Sequence, residues 1–295
     1  MLAYSLLAGL IFGLYFSLVG MGLNLIFGVM RVVNLAHGDI VMLGAFAAFW
    51  LYNLLGLHPL LAAPLIFALF LAIGMPLYYL IVPRLLRAKD PEMLSIIFFF
   101  GMAQTVVALA TIAFGTNERS IPGRVMGRVI GIGPVHILGQ TYPQAWIISG
   151  AVSALMVLLV TLYLYRTRLG TMTRAVMVQR DEALASGIDV HFVSAIAFGV
   201  GLGLAAIAGV FAPFMLGSVR PAMGGDINIA SFVVIVIGSL GNPLGAVLGG
   251  MVYGVALMMM QSYFSSWANL LPYLLLIFIL LLRPSGLLGR KVRHA

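Results

Sequence analysis

Among the residues able to do chemistry, the densest group lies between positions 24 and 39, where Asn24, Arg31, Asn34, His37 and Asp39 interrupt an apolar stretch. A charge at membrane depth is costly unless it is paired, hydrated or faces a pathway. Two readings of Arg31 and Asp39 are therefore open. They line a polar route between apolar helices, or they form an ordinary ion pair in a turn beyond a completed span. His37 by itself is more often a structural hydrogen-bonding group than a ligand. Gln104, a lone amide in an apolar segment, is a further pathway candidate, with interhelical hydrogen bonding as its alternative.

Other chemistries are harder to build. Gly238-Ser239-Leu-Gly241 offers a serine, but His37, His58, His136 and His191 read as lying in or near loops, and no His-Glu-x-x-His metal helix occurs. A phosphate-cradling loop ends in Lys-Ser or Lys-Thr, whereas Lys89 precedes Asp-Pro and Lys291 precedes Val-Arg. No nucleotide-hydrolysing site and no cofactor are thus expected in this chain. The absence of cysteine removes thiolate metal sites and disulfides.

The elements that must position these groups follow from composition. With 62% hydrophobic and 8% charged residues and a mean hydropathy of +1.13, too few charges exist to cover a water-facing surface. The expected fold is an all-α polytopic transmembrane bundle over residues 1–295, with about eight spans plus broken or re-entrant helices. A span needs roughly 20 apolar residues. Candidates are Leu2 to Phe27, Ile40 to Leu55, Leu60 to Val82, Met93 to Phe114, Ala145 to Tyr165, Phe192 to Leu216 and Trp267 to Leu282. Between the last two, Ile227 to Ile237 and Leu244 to Met260 flank a break at Gly238 to Pro243. The first segment lacks a small-residue cleavage pattern and runs on into further spans, so it reads as a retained helix.

Loop charges orient the bundle. Arg84, Arg87 and Lys89, then Arg166, Arg168, Arg174 and Arg180, then Arg283, Arg290, Lys291 and Arg293 fall on one side, expected to be cytoplasmic. The N-terminus and the loop at about 115–143 are then external, although that loop carries Arg119, Arg124 and Arg128 against Glu118. The net charge of +8 needs no nucleic-acid partner. An internal repeat is plausible, since helix, break and helix near the start echo the order from Ile227 onward, and transporters often place substrate where broken helices meet. Gly241, Gly245 and Gly249, like Gly9 and Gly13 or Gly250 and Gly254, recur on one helical face. Such faces serve close packing within a subunit or a dimer seam.

The connector from Arg166 to His191 is the most informative polar piece. Thr173 to Ser186 lacks Gly and Pro and is bracketed by Gly170 and Gly187, which predicts a short helix at about 171–190. Arg174, Arg180, Asp181 and Glu182 give it charge, and Ala183 with Leu184 and Ile188 an apolar side. It can dock in a partner groove or rest on the membrane interface.

Four pieces of the chain resemble the permease of high-affinity branched-chain amino acid ABC transporters. They are the run Asn24-Leu-Ile-Phe-Gly-Val-Met-Arg31-Val-Val-Asn34-Leu-Ala-His37-Gly38-Asp39, the Arg174 to Asp189 connector, Val236-Ile-Gly-Ser-Leu-Gly241 with Gly245-Ala246, and Arg283-Pro-Ser-Gly-Leu-Leu-Gly289. The resemblance implies a bacterial or archaeal plasma-membrane importer subunit. Its expected partners are a second permease, two cytoplasmic ATPases that bind the ATP, and an extracytoplasmic amino-acid-binding protein. Glu182-Ala-Leu-Ala-Ser-Gly187 is similar to the coupling motif of ABC importers, with its glycine one residue early. Arg174, Arg180, Asp181, Glu182, Ala183 and Gly187 then become the expected ATPase contact.

An apolar amino acid needs a cationic or helix-terminal partner for its carboxylate, an acceptor for its ammonium and an apolar slot. Arg31, Asn24 or Asn34 can meet the first need, Asp39 or freed carbonyls the second, and Phe27, Met30 or Met42 the third. Gly238, Gly241, Asn242, Pro243, Gly245 and Gly249 would shape the helix break. Asn117, Glu118, Arg119 and Arg124 would touch the binding protein. A channel, an intramembrane hydrolase, or a permease for another small amide or carboxylate solute are the alternatives.

Overall fold

The computed structural model describes residues 1–289 apart from 129, 130, 132 and 138, so the expected tail charges Arg290, Lys291 and Arg293 lie outside the described residues. The helices in chain order are α1 Leu2–Met30, α2 His37–Leu55, α3 Pro59–Leu86, α4 Pro91–Phe114, α5 Arg124–Arg128, α6 Gln144–Arg166, α7 Arg168–Val178, α8 Arg180–Ala185, α9 Val190–Met215, α10 Met223–Gly238, α11 Pro243–Tyr263 and α12 Leu271–Leu282. A 3₁₀ turn, Ser265–Leu270, leads into α12. Among the described residues 8 segments are long and apolar enough to cross a membrane, the last running from Ser265 to Leu282, and Met223–Gly238 is a shorter apolar helix. The chain is a polytopic helical bundle.

Local chemistry explains where the helices begin. Proline, which needs no hydrogen-bond acceptor, opens α3 at Pro59, α4 at Pro91 and α11 at Pro243. The Asp90 carboxylate accepts from Met93 N–H at 3.1 Å and that of Asp189 from Phe192 N–H at 2.9 Å, each relieving one unpaired donor of a helix start. The described residues of the loop at 115–143 include regular elements. Besides α5 the loop holds a hairpin of β1 Val135–Ile137 and β2 Gln140–Tyr142, paired antiparallel with His136 opposite Thr141.

Packing is organised around α1 and α9, the two helices most enclosed by others. α1 lies along α11 and also packs on α9, α9 lies along α3 and α2, and α10 packs on α11, α2 and α1. Glycines permit this closeness. Gly9 and Gly13 face Val255, Met251 and Gly254 of α11, Gly74 meets the Gly199 backbone, and Gly245 and Gly249 lie against the backbone of α10. The small-residue stripes thus pack helices inside this chain. α4 and α12 stand at the periphery with largely exposed apolar sides.

Besides the expected likeness of α1–α2 to α10–α11, α1–α2 also echoes α9–α10. α1 and α9 are each long buried helices, each is followed by a short non-helical segment, and each segment leads to a helix with Gly-Asp-Ile in its first turn. These are Gly38-Asp39-Ile40 in α2 and Gly225-Asp226-Ile227 in α10.

Candidate functional site

The polar stretch between Asn24 and Asp39 is neither a simple turn nor a set of side chains at one depth. α1 stops where Arg31 adopts a left-handed backbone, φ 56° and ψ 27°, and donates its N–H to Phe27 O. Residues 31 to 36 then run back along α1 as a strap. The His37 ring reaches the Val19 carbonyl at 3.0 Å. Val19 precedes Arg31 by 12 positions, about 18 Å along a helix at ~1.5 Å per residue, a distance that six extended residues can span. α2 therefore starts level with the middle of α1.

Charge and amide groups separate along this strap. Arg31 is exposed at the end of α1, where its guanidinium donates to Met177 O in the last turn of α7 at 3.4 Å, a favourable place for a cation. Asn34, His37 and Asp39 are buried. The Asn34 side-chain oxygen accepts from Ala36 N–H at 3.0 Å, folding the strap into the first turn of α2. A carbonyl can only accept, so His37 Nε2 carries the proton and Nδ1 is left without a partner, as are Asn34 Nδ2 and Asp39 Oδ1. Arg31 and Asp39 thus do not form the ordinary ion pair anticipated for a turn.

α10 also starts level with the middle of α1 and meets α2 there. Gly38 and Gly224 oppose each other in the two first turns, and a Cβ on Gly224 would strike the Asp39 carboxyl group. Asp39, 3% exposed, lies in the first turn of α2 and faces the first turn of α10, at helix ends whose dipoles favour negative charge. Asn228 clasps the strap. Its Nδ2 donates to Leu35 O at 2.7 Å and its Oδ1 accepts from Gly38 N–H at 3.4 Å.

A second amide clasp holds the α10–α11 break. Asn24, fully buried on α1, donates to Asn242 O at 2.6 Å and Ser239 O at 3.2 Å, and accepts from Gly241 N–H at 2.6 Å. Ser239 carries φ 117°, a strained value for a serine. Asn242 caps α11 through Gly245 N–H at 3.3 Å, and Gly238, Gly245 and Gly249 let α10 and α11 touch. Leu287 and Leu288 seal the break by donating to Ile237 O and Gly238 O. With all its groups engaged, Asn24 offers nothing to a solute. Gln104 is exposed on α4, apart from every other candidate.

At the opposite end, the 115–143 loop is pinned to the segment that enters α10. Arg119 and Val219 exchange backbone hydrogen bonds of 2.9 and 2.7 Å. The Arg119 guanidinium turns inward over the Phe49 and Trp50 rings, 5.4 and 5.2 Å from their centroids, and donates to Phe114 O at 2.6 Å. It staples the loop, contrary to the expectation that it reaches a partner, while Asn117, Glu118 and Arg124 are exposed. Replacing Arg119 by glutamine is expected to lower the thermal midpoint. The loss expected is about 1–2 kcal/mol, because the cation–π contacts go, whereas Asn117→Ala should leave that midpoint unchanged. Arg220 bridges Glu118 at 4.0 Å and Asp226 at 2.9 Å beside a cavity of about 560 Å³. Asn228, Arg220 and Asp226 escaped the sequence reading, although the repeated Gly-Asp-Ile marked their neighbourhood.

The family model for the branched-chain amino acid transport system permease component matches residues 5–280. The chain belongs to this family. The permease is 29% identical to the high-affinity branched-chain amino acid transport system permease protein BraD of Pseudomonas aeruginosa, with 97% of this chain and 95% of that one covered. It is 26% identical to LivH of Escherichia coli K12, a permease of the same description, with 96% and 94% covered. No solved structure matches it.

In the permease, the connector expected as one helix at about 171–190 is divided. Gln179 takes extended geometry, φ −153° and ψ 106°, between α7 and α8, and Gly187 ends α8 region at φ 82°. Arg174 is committed to α6, donating to Leu164 O at 2.9 Å and stacking 4.6 Å over Tyr165. Ala183 is buried and anchors α8, so neither residue presents a free docking group. Asp181, Glu182, Leu184 and Gly187 remain outward, and Val178 is 80% exposed. A cavity of about 440 Å³ bordered by Gln179, Glu182 and Ser186 lies between the two short helices.

Proposed function

We propose that this chain forms one half of the transmembrane path of an ABC importer for branched-chain or similar hydrophobic amino acids. A second permease would complete the path, two separate ATPases would drive it, and an external binding protein would deliver the solute. The single observation that supports this reading best is the meeting of the α2 and α10 N-terminal ends level with the middle of α1, since transporters place helix ends of this kind inside the bundle. The end where Arg31 meets α7 and borders a cavity with Lys89 and Asp90 would be cytoplasmic, and the Arg119–Val219 end external.

The arrangement also suggests how force enters. Met177 of α7 touches α1 twice, through the Arg31 guanidinium and through its own methyl group against Gly28, and Gly28 in turn touches Gly241 in the α10–α11 break. A partner pushing on α7–α8 would move the foot of α1 and the break together. Reconstituted with its ATPases and binding protein, the permease is expected to show ATP-driven leucine uptake. Glu182→Ala should lower solute-stimulated ATP hydrolysis about tenfold or more, the loss of one well-placed charged contact. Full stimulation in that variant would remove α8 from the coupling role, and absence of amino-acid uptake by the wild type would overturn the permease reading.

A further inference from the structure

Arg220 and Asp226 take no part in the strap or in either amide clasp, yet they face each other beside a cavity of about 560 Å³ at the end of the bundle that carries Glu118. Its walls come from α1, the segment entering α10, α10 itself, α11 and the turn before α12. Of its polar residues Asp226, Gln261 and Asn269 are exposed and Arg220 is half-buried, whereas Phe16 and Tyr253 are buried and meet edge to face at 4.6 Å. The cavity therefore has a charged rim and an apolar floor.

We infer that this cavity is an outer receiving site for a zwitterionic amino acid, with the solute carboxylate on Arg220, its ammonium on Asp226 and its apolar side chain on Phe16 and Tyr253. The inference rests on the amino-acid permease reading. An ion pair 2.9 Å apart is the electrostatic complement of a zwitterion. When the pair opens, each ion exchanges its partner for the opposite charge on one molecule, and the net charge of the site stays the same. A solute with only one of those charges leaves Arg220 or Asp226 unpaired. Opening is cheap, because the two side chains are 44% and 70% exposed and such pairs contribute little to stability. Arg220 presents a planar fork suited to a carboxylate, and Glu118, 4.0 Å away, helps hold it at the rim. The volume lies within the ~300–1,000 Å³ usual for small-molecule sites.

The test is saturation-transfer NMR on the assembled transporter in nanodiscs without binding protein, using L-leucine, L-leucinamide and 4-methylpentanoate as probes. Wild type should saturate leucine. Leucinamide and 4-methylpentanoate, and leucine on Arg220→Gln or Asp226→Asn, should bind about tenfold more weakly, the loss of one charged contact. Leu257→Trp fills the cavity without touching the ion pair and should also weaken leucine. Equal leucine binding in wild type and both charge variants, equal binding of 4-methylpentanoate, or no leucine signal on wild type would overturn the inference. Should the charge variants fail to assemble, an unchanged leucine signal in Leu257→Trp overturns it. ATP-driven leucine uptake by the same wild-type preparation separates the two ideas. Normal uptake with unaffected variants defeats the cavity alone, while no uptake of any amino acid defeats the permease reading.

Discussion

Gly38→Ala is expected to unfold or cripple the protein, while Gly225→Ala, in the equivalent turn of the echoing helix, is expected to be harmless. The added methyl at Gly38 would collide with Gly224 O, and it would lie 2.6 Å from Asn228 N and 2.9 Å from Asn228 Cβ. Two of these atoms are backbone, so no rotamer change relieves the clash. Nor can α10 retreat, because Val234 fills the space beside Gly20 of α1 and Gly238 lies on Gly245 of α11. Overpacking of this kind costs ~1–3 kcal/mol where side chains yield and more where they cannot. A loss above ~3 kcal/mol, more than a hundredfold in the folded fraction, is the expected result. Nothing lies within 4 Å of a Cβ on Gly225, and alanine there can even gain some of the ~1 kcal/mol by which it outranks glycine in helices. Thermal unfolding followed by fluorescence of Trp50, Trp146 and Trp267 compares the two. Coincident midpoints would show that the α2–α10 contact is not a constraint.

The contrast between those glycines illustrates what the sequence can and cannot say. Span positions, the α10–α11 break and the amphipathic connector were legible because each depends on local composition, on runs of apolar residues, Gly-Asn-Pro punctuation and a stretch free of both helix breakers. The depth of the Asn24 to Asp39 stretch was not legible. Hydropathy marks where polarity occurs along the chain, but it does not show that the strap doubles back on α1. That path depends on His37 meeting Val19 and on Asn228 binding Leu35 O, contacts between residues far apart in sequence. Arg119 was misread for a similar reason. In a loop an arginine reads as solvent-facing, and only the Phe49 and Trp50 rings of α2 turn it inward. Likewise Arg174 and Ala183 lie in the connector but on its inner side. The sequence located the connector by charge, whereas α6 and the bundle determine which face is presented.

Asn24→Ala should be nearly as damaging, with a distinct functional signature. The amide ties α1 to three backbone groups of the α10–α11 break, Ser239 O, Gly241 N–H and Asn242 O. Alanine deletes all three bonds in a site with no exposed surface at residue 24. A buried polar group left unpaired costs ~1–3 kcal/mol, so the expected total is about 3–5 kcal/mol if no water enters. The strained Ser239 backbone, held at φ 117° by these contacts, would be the first part to relax. Relaxation there would reach α7, part of the proposed coupling end, since Gly241 lies against Gly28 and Gly28 against Met177 of α7. The variant is therefore expected to combine a lowered thermal midpoint with basal ATP hydrolysis that no longer responds to solute. Asn24→Asp keeps the acceptor for Gly241 N–H but sets a carboxylate against two carbonyl oxygens, and it should be no better than alanine. A stable Asn24→Ala protein with intact solute-stimulated ATP hydrolysis would show that the break is held by packing of Gly238 on Gly245 rather than by the amide clasp.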